Sequence, residues 1–133
     1  MYLNKQTGEL SIFDIKLSPE SKSDVLPAIE KNFQMKLHEN GNYHQHVLQN
    51  LPDNILMEIS FFKKIIISIH FYLKETDFEP YSTCKEFVDM TRDKFADLGP
   101  EGKYPWGSFS VYGDKRAGIV AAFIDYRDRV ANT

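Results

Sequence analysis

Apolar positions along this chain recur with two periods, and the alternation between them lays out the elements. Tyr2 and Leu3 precede a turn-forming run from Asn4 to Gly8, and Leu10, Ile12, Phe13, Ile15 and Leu17 continue in an extended pattern. That predicts an opening hairpin. Ser18 to Ser23 is polar and contains Pro19, so it reads as a loop. Val25, Leu26, Ile29, Phe33 and Leu37 then share an arc of about 120° when wound at 100° per residue, which predicts an amphipathic helix. Ser23 or Asp24 would cap it, Pro27 is tolerated in its first turn, and Asn40 with Gly41 would end it.

Period two then returns. Tyr43 to Leu48 predicts a short strand, with a turn at Pro52, Asp53 and Asn54. Ile55, Met57, Ile59 and Phe61 fall on one strand face, and Ile65, Ile67, Ile69, Phe71 and Leu73 form a second set beyond Lys63 and Lys64. The two lysines mark a tight turn, although lysine is a poor occupant of the positive φ such turns use; one continuous bent strand is the competing reading. Thr83 and Glu86 have capping-box spacing, and Gly99-Pro100 is a strong helix stop. Between them Cys84, Phe87, Val88, Thr91, Phe95 and Leu98 make one helical face, while Glu86, Asp89, Asp93 and Asp97 line the other.

The chain closes on a second hairpin. Phe109 and Val111 alternate with Ser108, Ser110 and Tyr112, the turn spans Gly113 to Gly118, and the strand from Ile119 to Tyr126 is apolar on both faces. Apolarity on both faces belongs to a central strand whose small-residue patch is covered by a helix. The order β-β-α-β-β-β-α-β-β predicts an α+β fold with a mostly antiparallel sheet of about six or seven strands and two helices.

A length of 133 residues suits one domain, spanning residues 1–133. Hydrophobic residues at 42% against 26% charged place the chain among globular proteins, and ten Phe with seven Tyr favour sheet. The first ten residues lack a basic region leading into an apolar run, so no secretory signal is read there and a cytoplasmic location is expected. The longest apolar stretch, Ile65 to Leu73, is broken by Ser68 and His70 and falls far short of the roughly 20 residues a membrane helix needs.

Candidate chemistry is sparse. His44 and His46 would share one strand face, but no third metal ligand accompanies them, and the positions of His38 and His70 stay open. Cys84 stands at the first turn of a helix without a partner base, and its apolar neighbours make it a small core residue. The seven glycines form no phosphate-binding spacing. No catalytic residue, metal or cofactor is therefore expected, and the chain does not read as an enzyme. A small ligand-binding domain or enzyme with a pocket between helices and sheet, involving His44, His46 or His70, is the alternative reading.

Charge is unevenly distributed. Residues 75 to 101 hold eight acids against three bases, a net of −5, whereas the remainder holds eleven acids and thirteen bases, a net of +2; together they give the overall −3. A negative face of this kind is either a solvated helix face that keeps the chain soluble or a field that attracts a basic protein partner, and it argues against direct binding of nucleic acid.

With these residues in view, a resemblance can be stated. Tyr104 to Tyr126, through Trp106-Gly107, Ser110, Tyr112, Asp114, Gly118 and Tyr126-Arg127, resembles the C-terminal hairpin of a loose group of small bacterial proteins. Thr7-Gly8-Glu9-Leu10 followed by Ile12-Phe13 is similar to that group's opening. The chain departs from the pattern at Ala117, where serine is more usual, and at Lys63-Lys64, where Asn-Gly is expected. Some members look like immunity proteins encoded beside polymorphic or contact-dependent growth inhibition toxins. The resemblance implies that this chain binds and neutralises the toxin domain of a cognate secreted effector. If that toxin is a nuclease its cleft is basic, and Glu75, Asp77, Glu79, Glu86, Asp89, Asp93 and Asp97 would fill it in place of phosphates, with Phe78 and Tyr81 as aromatic anchors. The fold-forming residue types in the matching segments make Trp106 a core anchor and place function elsewhere on the surface.

Overall fold

A computed structural model describes residues 1–52, 55–73, 84–114 and 119–127. Its organising element is a seven-stranded antiparallel sheet in the order β4-β5-β6-β7-β10-β9-β8: Met35–Asn40 (β4), Tyr43–Leu48 (β5), Ile55–Phe62 (β6), Ile65–Leu73 (β7), Ile119–Asp125 (β10), Gly107–Asp114 (β9) and Gly102–Tyr104 (β8). A second sheet of three strands is built from Tyr2–Leu3 (β1), Leu10–Ile12 (β2) and Ile15–Leu17 (β3). Two α-helices, Leu26–Glu30 (α1) and Cys84–Lys94 (α2), and two 3-10 turns, Ser23–Val25 and Ala96–Leu98, complete the described elements. The α+β class, the antiparallel sheet and the two helices are as the sequence predicts, and β10 is central, between β7 and β9.

Three elements differ from expectation, each for a local reason. The helix predicted from Val25 to Leu37 stops at Glu30, and Met35–Asn40 pairs instead with β5 through the rungs Met35↔Leu48 to Asn40↔Tyr43. Gly41, at φ +61, takes the first loop position, where a two-residue hairpin accepts glycine. Leu37 completes the helical arc in the sequence but is exposed in the structure, so its periodicity carried no burial to favour a helix. The extended run from Leu10 to Leu17 is two strands rather than one, because Phe13 and Asp14 both take positive φ and reverse the chain between Ile12 and Ile15. Gly102–Tyr104 adds a short edge strand next to β9 that the sequence pattern does not announce.

The Lys63-Lys64 turn is present as predicted. Phe62 pairs with Ile65, and both lysines adopt positive φ, at 50° and 69°, the primed-turn geometry that matches strand twist. Backbone bonds compensate for the unfavourable residue type: Lys63 N–H donates to Asn42 O, and Ser23 N–H donates to Lys64 O.

Strand register divides the large sheet into two unlike faces. On one face Leu48, Met57, Ile59, Phe61, Ile69, Phe71, Phe109 and Ile124 pack with Leu3, Leu10, Ile12, Ile15 and Leu17 of the small sheet and with Leu26 and Ile29 of α1. Phe95 and Leu98, which follow α2, enter the same cluster. Burial of that many aliphatic and aromatic side chains, at about 1.5–3 kcal/mol each, is the dominant stabilising term. Trp106 is buried in this core as the sequence predicts, stacked on Tyr104 with ring centroids 5.1 Å apart. Among the described residues, those whose side chains alternate to the other face of the sheet contribute nothing to the core cluster.

Candidate partner-binding surfaces

The acidic segment divides between residues the structure describes and residues outside that range. Glu86, Asp89, Asp93 and Asp97 are exposed on and just beyond α2. Glu75, Asp77, Phe78, Glu79 and Tyr81 lie outside the described residues, as does the capping residue Thr83. α2 runs against β9 and is tied to the sheet by one carboxylate: Arg92 Nε donates to Glu101 Oε2 at 2.9 Å, and the Val111 backbone N–H donates to Glu101 Oε1 at 2.7 Å. Partial burial works against the charged form of Glu101, but these two donors outweigh it and hold the carboxyl below its ordinary range. The acids share the helix surface with the exposed bases Lys85, Arg92 and Lys94. Over residues 84–101 five acids face three bases, a net of −2, so much of the segment's −5 is contributed by Glu75, Asp77 and Glu79.

The face of the seven-stranded sheet opposite the core cluster is a second surface, which the sequence does not single out. Its side chains line up in cross-strand rungs. One reads Lys36, Val47, Glu58, His70, Phe123 and Ser110 across β4, β5, β6, β7, β10 and β9. The next reads His38, Gln45, Ser60, Ser68, Asp125 and Ser108, and a third carries Leu56, Tyr72, Ala121 and Tyr112. Aromatic rings gather at its centre: His70 stacks on Phe123 with centroids 4.1 Å apart and lies parallel to Tyr72 at 5.7 Å. Glu58 accepts from Gln45 Nε2 at 3.2 Å, Tyr43 and Ser60 share a hydroxyl contact at 3.2 Å, and Arg127 pairs with Asp125.

Electrostatics at the centre of this face are unsettled in two places. Burial raises the Glu58 carboxyl above its ordinary range, and nearby His38 opposes the rise only in part. No described cation lies within ion-pair distance of Glu58. His70 has its pKa lowered, first by burial and then by the Arg127 charge, with Asp125 opposing, and its Nδ1 is buried without a hydrogen-bond partner. The signal for this surface was present as alternation: Glu58, Ser60, Ser68, His70 and Tyr72 interleave with the apolar positions of two strands. The sequence does not say that β5, β6, β7, β10 and β9 assemble those residues side by side.

The histidine pair lies on the opposite, core-facing side. His44 and His46 share a face with centroids 6.5 Å apart, and His46 is buried edge-on against Phe61. His44 Nε2 stands 3.9 Å from Glu39 Oε1. His38 alternates to the face opposite the core, and no group of three ligating side chains occurs among the described residues. Two cavities, of about 610 and 270 Å³, border α1, and no histidine lines either of them. The Cys84 side chain lies outside the described residues.

No protein-family model and no curated protein matches this sequence. Among solved structures, the chain is similar to a chain of the structure described as "Rhs1-CT in complex with cognate immunity protein RhsI1", with a TM-score of 0.64 over 99% of this chain and 90% of that one. At 12% identity the likeness is one of fold.

Proposed function

We propose that this chain is an immunity protein that binds the toxin domain of a cognate secreted effector and neutralises it. The observation that carries the reading is the fold correspondence, which runs over nearly the whole chain and leads to a toxin–immunity complex. The resemblance of both chain ends to small bacterial immunity-like proteins is an independent support, because it rests on particular residues such as Gly8, Trp106 and Tyr126. On this reading the chain acts by protein–protein contact in the bacterial cytoplasm and performs no catalysis. The exposed acids Glu86, Asp89, Asp93 and Asp97 steer a basic toxin surface during encounter, as a nuclease cleft would be steered. Glu75, Asp77, Phe78, Glu79 and Tyr81 are proposed to extend that surface.

Co-expression with the C-terminal domain encoded by the neighbouring effector gene tests this. Tight capture of the pair together with restored growth of the toxin-expressing cell is the expected result. Failure of both capture and rescue would remove the immunity reading and return attention to a small-molecule pocket.

A further inference from the structure

The sheet face opposite the core has the makings of a docking site that its described residues leave incomplete. Glu58 stands in its central rung between Val47 and His70, half-buried, with a single neutral donor from Gln45. A carboxylate so placed has lost part of its hydration and gained no described counter-charge, an arrangement that costs free energy in the isolated protein. Beside it, His70 turns a buried Nδ1 toward no partner, in a stack whose rings are nearly parallel to Phe123 and Tyr72, at 11° and 12°. A planar cation would answer the features of this site together. A guanidinium can pair with a carboxylate through two N–H donors and lie against an aromatic ring. Lysine, a compact charge without a flat face, would answer only the first.

Resting on the immunity reading, we infer that the face of the seven-stranded sheet opposite the core is where the toxin domain docks, and that an arginine of the toxin is received by Glu58 beside Tyr72. The choice of occupant follows from charge complementarity: the other described acid at the centre of this face, Asp125, already has Arg127 at 3.1 Å, whereas no described cation lies within ion-pair distance of Glu58. Tyr72, Tyr112 and Phe123 supply the flat, amphipathic area on which interface affinity tends to concentrate. The acidic α2 surface then governs how fast the partners meet, and the sheet face governs how long they stay together.

The test is titration of the captured toxin domain, made catalytically inactive by substitution, against the unaltered chain and against Glu58→Gln, Tyr72→Ala and Asp89→Lys/Asp93→Lys variants. Glu58→Gln keeps the shape and the contact with Gln45 but removes the charge, and it is expected to weaken binding by roughly tenfold or more through faster dissociation. Tyr72→Ala should weaken it comparably. Thermal unfolding of each free variant runs alongside; Glu58→Gln is expected to be at least as stable as the parent, so weaker binding cannot be a folding defect. Binding by the unaltered chain with Glu58→Gln and Tyr72→Ala both within twofold of it would overturn this inference and leave the immunity reading standing. Absence of binding by the unaltered chain would overturn the immunity reading, and this inference with it.

Discussion

The hydroxyl of Tyr126 donates a hydrogen bond to the carbonyl oxygen of Gly8 at 2.6 Å, joining residues 118 apart in the chain. Trp106 strengthens the same junction, with its Nε1–H donating to Lys5 O at 2.8 Å and its indole pressed against Gly8. The turn from Asn4 to Gly8 is thus held to the closing hairpin by two aromatic side chains. The opening turn and the closing hairpin thus meet at the junction between small sheet and large sheet.

Tyr126→Phe removes the donor while leaving a buried carbonyl without its partner, which costs on the order of 1–3 kcal/mol. Gly8→Ala should cost more. A Cβ there would sit 2.6 Å from the Trp106 ring, and φ at +78 is already unfavourable for a side chain. Urea midpoints check both, and toxin affinity measured per folded molecule should stay unchanged.

Much of this architecture could be read from local pattern, and what could not has a common physical cause. The two hairpins 55–73 and 107–125, the exposed acids of α2 and the burial of Trp106 follow from periodicity and turn chemistry, which act over a few residues. The strand at Met35–Asn40 was hidden because Leu37 matches a helical arc, while the deciding bonds to β5 are invisible until the Gly41 turn is made. The sheet face opposite the core was hidden more deeply. Glu58 and His70 lie on different strands, Phe123 lies far along the chain, and only strand order brings them onto one rung.

Lys63 and Lys64 hold left-handed backbone at a cost of roughly 1–2 kcal/mol each relative to a residue suited to it. Replacing them with Asn-Gly supplies the preferred primed-turn pair. The replacement gives up the contact of Lys63 Nζ with the Phe62 ring at 5.6 Å, worth only about 0.5 kcal/mol at an exposed site. With the larger unfolded-state entropy of glycine costing a further amount of about 0.5–1 kcal/mol, a net stabilisation of about 1–2 kcal/mol is expected, read as a higher thermal midpoint with an unchanged denaturant slope. A lower midpoint would show that the lysine side chains hold the turn in some other way.

Glu58 sets a pH dependence of definite sign. Its folded pKa lies above the ordinary 4.5, so the unfolded chain loses this proton first as pH rises. The contribution is fully present below pH 4.5 and is lost as pH rises through the higher folded value. Glu58→Gln removes that loss. The variant should therefore match the parent near pH 4 and exceed its thermal midpoint at pH 7, and an equal midpoint across the range would contradict the burial of an uncompensated charge.

His46 and His70 act in the opposite sense. Burial lowers both, assisted by His44 for His46 and by Arg127 for His70, so the unfolded chain takes up these protons first as pH falls. Their contribution is intact above pH 6.5 and is lost as pH drops through the lower folded values. A His46→Phe/His70→Phe double variant should lose stability less steeply than the parent between pH 6.5 and pH 5, measured by urea titration at each pH. An unchanged slope would mean that other groups dominate acid sensitivity.

The acids of α2 make the last prediction, and it separates encounter from retention. Asp89 and Asp93 are exposed and one helical turn apart, so reversing both changes the local field by four charges while removing no packed side chain. Surface substitutions of this kind usually move stability by no more than about 0.5 kcal/mol. Charges at a surface act mainly through the approach of the partner, and their reach shrinks to roughly 3 Å in 1 M salt. Asp89→Lys/Asp93→Lys should accordingly slow association with the toxin domain by about tenfold at low ionic strength, with the difference vanishing at high salt and the dissociation rate unaltered. Stopped-flow association at two salt concentrations measures this. A change confined to dissociation would place these residues inside the contact itself, and no change at either salt would remove α2 from the encounter.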